Sequence, residues 1–363
     1  MLRGLVDFLR ELVRTRSLPG EERELAGLVR EELLKLGVDS VRIDHAGNVV
    51  AWVRRSGEGL VLLDAHMDTV PEGSDWLRDP LSGDIVNGYV YGRGSVDMKG
   101  GLAAIVYSVP LVSEEGSDLV YAFVVHEEDQ EGFGVRQVIS SLHKLPDLVI
   151  IGEPTSLNLA RGHRGRAEVI VELRGRSSHS SMPELGDNCL ERACEYLTYL
   201  RSIELPSHGV LGRATVAPVR IDANPGLVPV VPDRCTLLLD RRTVEGESKE
   251  SIEEQLKGKI LRKEVRCYTG YGEEVEAWFP AWLNKDPSLL KLAERLGGEL
   301  ITWRFSTDGS YTAGELGIPT IGFGPGDQEM AHRSDEMVPL EEVGRAAELY
   351  PEILRWFHEL QVR

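Results

Sequence analysis

Three apolar runs in this chain each stop on a side chain able to hold a metal. Residues 60–63 lead into Asp64-Ala65-His66-Met67-Asp68, residues 119–125 into His126-Glu127-Glu128, and residues 148–151 into Gly152-Glu153. A further acid, Asp97, follows a Gly-Arg-Gly turn, and His332 follows another apolar run and the Gly324-Pro325-Gly326 loop. Imidazole and carboxylate donors with no cysteine among them favour Zn2+, with Co2+ or Mn2+ as alternatives, over Mg2+ or Ca2+, which prefer oxygen-only shells. His66, Asp97, Glu128, Glu153 and His332 suffice for two divalent ions if one carboxylate bridges them, and such a pair activates water for hydrolysis. Asp68, two residues beyond His66, is placed to accept the second imidazole N–H and fix the ring's tautomer.

Each of these residues has an ordinary role when taken singly: a solvated acidic run, a helix N-terminal acid, a structural histidine. Their coincidence at strand ends is what separates them from that background. A charge set directly after a buried strand is costly unless something compensates it.

The elements that must position them follow from the pattern. Short β-branched runs over 60–64, 120–125 and 148–151 read as buried strands of a mainly parallel sheet, alternating with helices over 98–112 and 135–142. In such sheets function collects beyond the strands' carboxyl ends. Two amphipathic helical stretches over 5–36, broken at Ser17-Leu18-Pro19-Gly20, precede a hairpin over 41–43 and 48–53. After Glu153 the pattern changes. Strands over 167–174, 210–221 and 233–240 with helices over 188–203 and 248–256 predict a separate α+β unit, after which helix and strand signals return over 289–323. The expected fold class is α/β, a catalytic domain in two pieces (1–163 and 274–363) with an inserted α+β lid or dimerisation domain (164–273).

Composition bounds the partners. A formal charge of −18 over 363 residues repels phosphate backbones and anionic membranes, so neither nucleic acid nor a membrane is expected to bind. The N-terminal stretch alternates charge and apolar residues and lacks a signal-peptide core, so a cytoplasmic location is expected. Cys189, Cys194, Cys235 and Cys267 form no CxxC pair and read as reduced thiols. Asn and Gln are scarce beside Glu, Arg and Leu, a bias seen under high-temperature selection.

Taken together, Asp64-Ala65-His66-Met67-Asp68-Thr69-Val70-Pro71, Gly92-Arg93-Gly94-Ser95-Val96-Asp97-Met98-Lys99-Gly100-Gly101, Glu127-Glu128, Gly152-Glu153-Pro154 and Ala331-His332 resemble the M20 metallopeptidases. That family includes acetylornithine deacetylases, succinyl-diaminopimelate desuccinylases, acetyl-lysine deacetylases, carboxypeptidases and aminoacylases. The resemblance implies that Asp97 bridges two metals, that His66 and Glu153 complete one site and Glu128 and His332 the other, and that Glu127 is the general base. It also implies that His179, in Ser177-Ser178-His179-Ser180-Ser181, reaches across a homodimer made through the lid to stabilise the oxyanion. Arg242 matches an Asp-x-Arg position that binds a substrate carboxylate. Asp308 and the loop glycines Gly324 and Gly326 resemble substrate-binding loops at the cleft. Where the family carries an Asn shortly before Val-Pro-Asp, this chain reads Gly226-Leu227-Val228-Pro229-Val230-Val231-Pro232-Asp233, without it.

The expected activity is cleavage of the amide bond of an N-acyl amino acid or short peptide by a metal-activated water, with Glu127 as base. A non-catalytic metal-binding or regulatory protein and a two-metal phosphoesterase are the alternatives. The free Glu beside a metal-binding Glu favours amide cleavage, because an amine leaving group needs a proton.

Overall fold

A computed structural model of the chain describes residues 2–55, 57–267, 270 and 272–361. The chain divides into two compact units, one made of residues 1–163, 265–273 and 283–363, the other of residues 164–264 and 274–282. Sequence pattern suggests a single return at residue 274, whereas residues 265–273 join the first unit and residues 274–282 the second.

In the first unit, strand Leu60–His66 is buried along its whole length and pairs in parallel with Asp118–Val124 on one side and Leu148–Ile151 on the other. Thr320–Gly322 continues the parallel run beyond Leu148–Ile151, while the hairpin Ser40–Ile43 and Val49–Val53 closes the far edge antiparallel to Asp118–Val124. The sheet is therefore mixed and parallel at its centre, and its β-branched strands are buried as two-sided covering demands. Helix Gly100–Ser108 has every residue buried. A Cβ on Gly101 would lie 2.0 Å from the Gly152 carbonyl oxygen, so glycine is what lets this helix close onto the strand end that carries Glu153. The 22-residue helix Leu340–Gln361, which runs through Pro351, and strand Leu300–Trp303 are further elements that the spacing does not single out.

The second unit is built on antiparallel strands Thr215–Asn224, Arg234–Thr243 and Gly165–Arg174. Burial alternates along Gly165–Arg174 and Arg234–Thr243, the signature of a sheet with one covered face. Val169, Val171, Leu237 and Leu239 form that face, packed with Ile252 and Leu256 of helix Lys249–Leu256 and with Tyr196 and Leu200 of helix Cys189–Ser202.

One expectation is overturned here. Cys189 and Cys235, 46 positions apart in sequence, form a disulfide; Cys194 and Cys267 are free. No local spacing announces the pair. The first residue of helix Cys189–Ser202 is brought against the start of strand Arg234–Thr243 by tertiary packing, and both sulfurs lie in residues with no solvent exposure.

Candidate active site

His66 ends its strand and Glu153 follows the neighbouring parallel strand by two residues, so adjacent strands deliver both side chains to the sheet's carboxyl edge. Asp97 comes from the irregular turn Ser95–Lys99, non-helical at Asp97 and Met98, which precedes helix Gly100–Ser108. Its two oxygens face different histidines: Oδ1 lies 3.0 Å from His66 Nε2 and Oδ2 lies 3.2 Å from His332 Nε2. Glu153 Oε1 is 3.4 Å from His66 Nε2, and Glu128 Oε2 is 3.0 Å from His332 Nε2. Two triads result, His66-Asp97-Glu153 and Asp97-Glu128-His332, sharing one carboxylate, with the ligand atoms of each triad within 4.8 Å of one another.

The donors suit two metal ions. Bonds of about 2.0–2.2 Å in a tetrahedral shell put neighbouring ligand atoms roughly 3.3–3.6 Å apart, and the pairs here are 3.0–3.4 Å apart. The same atoms are close enough to share protons. Burial works against a charged His66, but hydrogen bonds to Asp97 and Glu153 lift its imidazole well above its usual range. Hydrogen bonds to Asp97 and Glu128 carry His332 up to about 10. Burial and the nearby Asp97 push Glu153 up to about 8. Asp97 goes the other way: burial alone would raise it, yet the two imidazoles hold it below the usual carboxylate range. Three carboxylates and two imidazoles packed this tightly form a charge cluster that cations would neutralise. Glu153 Oε2 and Glu127 Oε1 are buried with no hydrogen-bond partner among the described residues.

Glu127 stands beside this cluster. Burial, reinforced by Glu153, Asp308 and Glu131 against the pull of His66, raises its carboxyl well above the usual range. Its backbone is held by Asp68, whose Oδ1 accepts from Glu127 N at 3.1 Å and whose Oδ2 accepts from Glu128 N at 2.9 Å. This corrects the role expected of the Asp68 carboxylate. His66 Nδ1 instead meets the main-chain oxygen of Asp68 at 2.9 Å, while the carboxylate is 3.6 Å away and committed to the two glutamates. A carbonyl can only accept, so this contact places a proton on Nδ1 and leaves Nε2 facing Asp97.

The loops expected at the substrate cleft make contacts of their own. Asp308 is buried, accepts from Gly132 N at 2.6 Å and faces Asp64. Burial and that neighbour drive Asp64 well above the carboxylate range. Gly324 N donates to Thr155 Oγ1 and Gly326 N to Glu342 Oε2. Both donors are thus engaged within the protein.

In the second unit, His179 lies in an exposed loop, bridged to Val230, with Nδ1 accepting from Ser181 N at 3.2 Å. Arg242 is half-buried in strand Arg234–Thr243, and its Nε and Nη2 grip the two oxygens of Asp240 at 2.8 and 3.0 Å.

Several supporting residues escape the sequence motifs. Glu22 accepts from His126 N at 3.1 Å, and His163 Nε2 accepts from Thr307 N at 3.0 Å next to Asp308. Glu336 binds the Asp97 turn. Only Asp64 carries a sequence signal, an acid inside an otherwise apolar run.

A family model described as Peptidase family M20/M25/M40 matches residues 62–356. A Pyrobaculum aerophilum protein named as a LysW-lysine/LysW-ornithine hydrolase is 35% identical over 345 residues, covering 94% of each chain. The Escherichia coli K12 protein YgeY, itself uncharacterised, is 31% identical over 377 residues, covering 96% of this chain and 93% of its own. Among solved structures, the Bacillus subtilis YXEP protein, described as a dinuclear metal-binding peptidase, superposes with a TM-score of 0.70 at 15% identity over 99% of this chain and 98% of its own.

Proposed function

Because this chain belongs to peptidase family M20/M25/M40, we propose that it is a two-metal, zinc-dependent hydrolase cleaving the amide bond of an N-acyl amino acid or a short peptide. The observation that carries this reading is the Asp97 carboxylate, which turns one oxygen to each of two histidines. His66 and Glu153 would hold one ion with Asp97, and Glu128 and His332 the other. Bound there, the ions would make water easier to deprotonate and polarise the scissile carbonyl.

The chain's own groups supply the proton traffic. Glu127, buried with one unpartnered oxygen beside the cluster, takes the proton from the attacking water. Its raised affinity for that proton suits it to carry the proton to the departing amine, which leaves only once protonated. Asp68 keeps Glu127 and Glu128 in register, so that one stays free while the other binds metal.

The inserted unit contributes the remaining roles in this reading. His179 donates to the oxyanion, from a partner subunit in a homodimer. Strand Thr215–Asn224 supports the dimer: it ends the sheet of its unit and exposes Val219 and Ile221, an edge open to pairing with a second copy. Arg242 binds the substrate carboxylate by exchanging it for Asp240, a like-for-like swap at a planar fork. Among the described residues no helix is long and apolar enough to cross a membrane.

The test is steady-state hydrolysis by metal-stripped protein reloaded with Zn2+, Co2+ or Mn2+, on N-acetylornithine, N-acetyllysine, N-succinyl-diaminopimelate and a panel of dipeptides. Turnover of at least one amide that disappears on stripping is expected. Turnover of a phosphate monoester control with none of any amide would reject the reading in favour of a phosphoesterase. Sedimentation of the purified chain as a monomer at assay concentration would remove the cross-subunit role of His179.

A further inference from the structure

The two candidate metal sites are supported in different ways. His66 and Glu153 stand at the ends of two buried, directly paired parallel strands. His332 stands in a loop, with its side chain half exposed and its backbone in the left-handed region at φ 62°. Something other than the sheet must hold it against Asp97.

We propose that the buried pair Arg93 and Glu336 is a positioning clamp that sets the separation of Asp97 and His332, and so the affinity of the Asp97-Glu128-His332 site. Glu336 has no solvent exposure. Its Oε1 accepts from Val96 N at 2.8 Å and from Asp97 N at 3.1 Å; its Oε2 accepts from Gly94 N at 3.1 Å and from Arg93 Nη1 at 2.6 Å. Main-chain N–H groups from one tight turn converging on one anion make a nest, and Gly94, at φ 78°, supplies the left-handed residue it needs. The grip is returned. Arg93 Nη1 also donates to the carbonyl of Arg333 at 3.2 Å, and Nη2 approaches that of His332 at 3.5 Å. The turn bearing Asp97 and the loop bearing His332 are thereby tied together through a fork that a lysine cannot reproduce.

The asymmetry gives the inference its signature. Groups that orient ligands from behind typically change metal affinity by about 10–100-fold. Here the loss should fall more heavily on one ion: His66 and Glu153 stand on strands that do not depend on the clamp, whereas the other site has both its shared carboxylate, Asp97, and His332 held by it. The inference rests on the two-metal reading, and one titration separates their failures. Metal-stripped wild type, Glu336→Gln and Arg93→Lys are titrated calorimetrically with Zn2+, and the d–d absorption of each equivalent is followed with Co2+.

Wild type should take two equivalents. Both variants should keep the first within about 3-fold and bind the second about 10–100-fold more weakly, with turnover recovering as free metal is raised by the same factor. Wild type binding fewer than two equivalents would sink the two-metal reading and this inference with it. Two wild-type equivalents with both unchanged in the variants would overturn the clamp alone, as would equal weakening of the two. Should Glu336→Gln fail to fold, Arg93→Lys, which keeps the buried positive charge, decides between these outcomes.

Discussion

The Asp68 carboxylate holds the main-chain N–H of Glu127 at 3.1 Å, and its second oxygen holds that of the next residue at 2.9 Å. A single acid thus orients the proposed base and a proposed metal ligand together, while the ring of His66 is steadied by the Asp68 carbonyl oxygen. Removing the side chain should therefore disturb the glutamates and spare the histidine. Asp68→Ala is expected to lower kcat about 10–100-fold, the usual effect of losing such a supporting group, with His66 still metal-bound. Asp68→Asn, which keeps one acceptor oxygen, should fall between. Loss of metal from the His66 site in Asp68→Ala, measured as the tighter equivalent in a titration, would show that the carboxylate acts through the imidazole instead.

Glu127 lies beside the cluster without belonging to either triad. Glu127→Ala should lower turnover about 10²- to 10⁴-fold, the span of general acid–base contributions, and leave metal content near wild type by elemental analysis. His66→Ala and Asp97→Ala should lower both. Unchanged turnover in Glu127→Ala would reject the base assignment.

What was legible beforehand follows from how locally each feature is encoded. His66 ends a buried strand and Glu128 and Glu153 follow theirs by a few residues, so the strand pattern carries all three to one edge. The supporting residues are different. Glu336 and Glu22 reach the site through backbone N–H groups more than 100 residues away, and an acceptor for a distant amide leaves no periodic trace. The Asp68 carboxylate was misassigned for the same reason: two residues' separation from His66 permits either its side chain or its carbonyl to meet the ring, and only the position of the Glu127 turn decides. Helix Leu340–Gln361 escaped because Pro351 interrupts its pattern.

The metal-free cluster makes a pH prediction with a definite sign. His332 rises from 6.5 to about 10 through its hydrogen bonds to Asp97 and Glu128, and Glu153 from 4.5 to about 8 through burial. Both folded values are raised, so the stability tied to His332 is complete below about pH 6.5 and lost as pH climbs through 10. That tied to Glu153 is complete below about 4.5 and lost through 8. Asp97, held low, loses its contribution only in acid, outside this window. Stripped protein should therefore melt at progressively lower temperature from pH 6 to pH 9. Since ligands must shed these protons to bind metal, Zn2+ binding at pH 7 should release protons. The calorimetric enthalpy should then vary linearly with the buffer's ionisation enthalpy, and a zero slope would contradict the protonation states described.

The Cys189–Cys235 disulfide closes a loop of 46 positions within the unit that carries His179 and Arg242. By chain entropy, a loop of that length should stabilise the folded unit by about 4 kcal/mol, a substantial share of a small unit's stability. Denatured, unreduced protein should expose two thiols to Ellman's reagent, from Cys194 and Cys267, against four after reduction. Replacing both bridged cysteines by serine should move urea unfolding of this unit to lower concentration by an amount corresponding to about that energy, with metal content unchanged, because the two triads lie wholly in the other unit. Four reactive thiols before reduction would show that the bridge does not form, and a double-serine variant as stable as wild type would show that it constrains nothing.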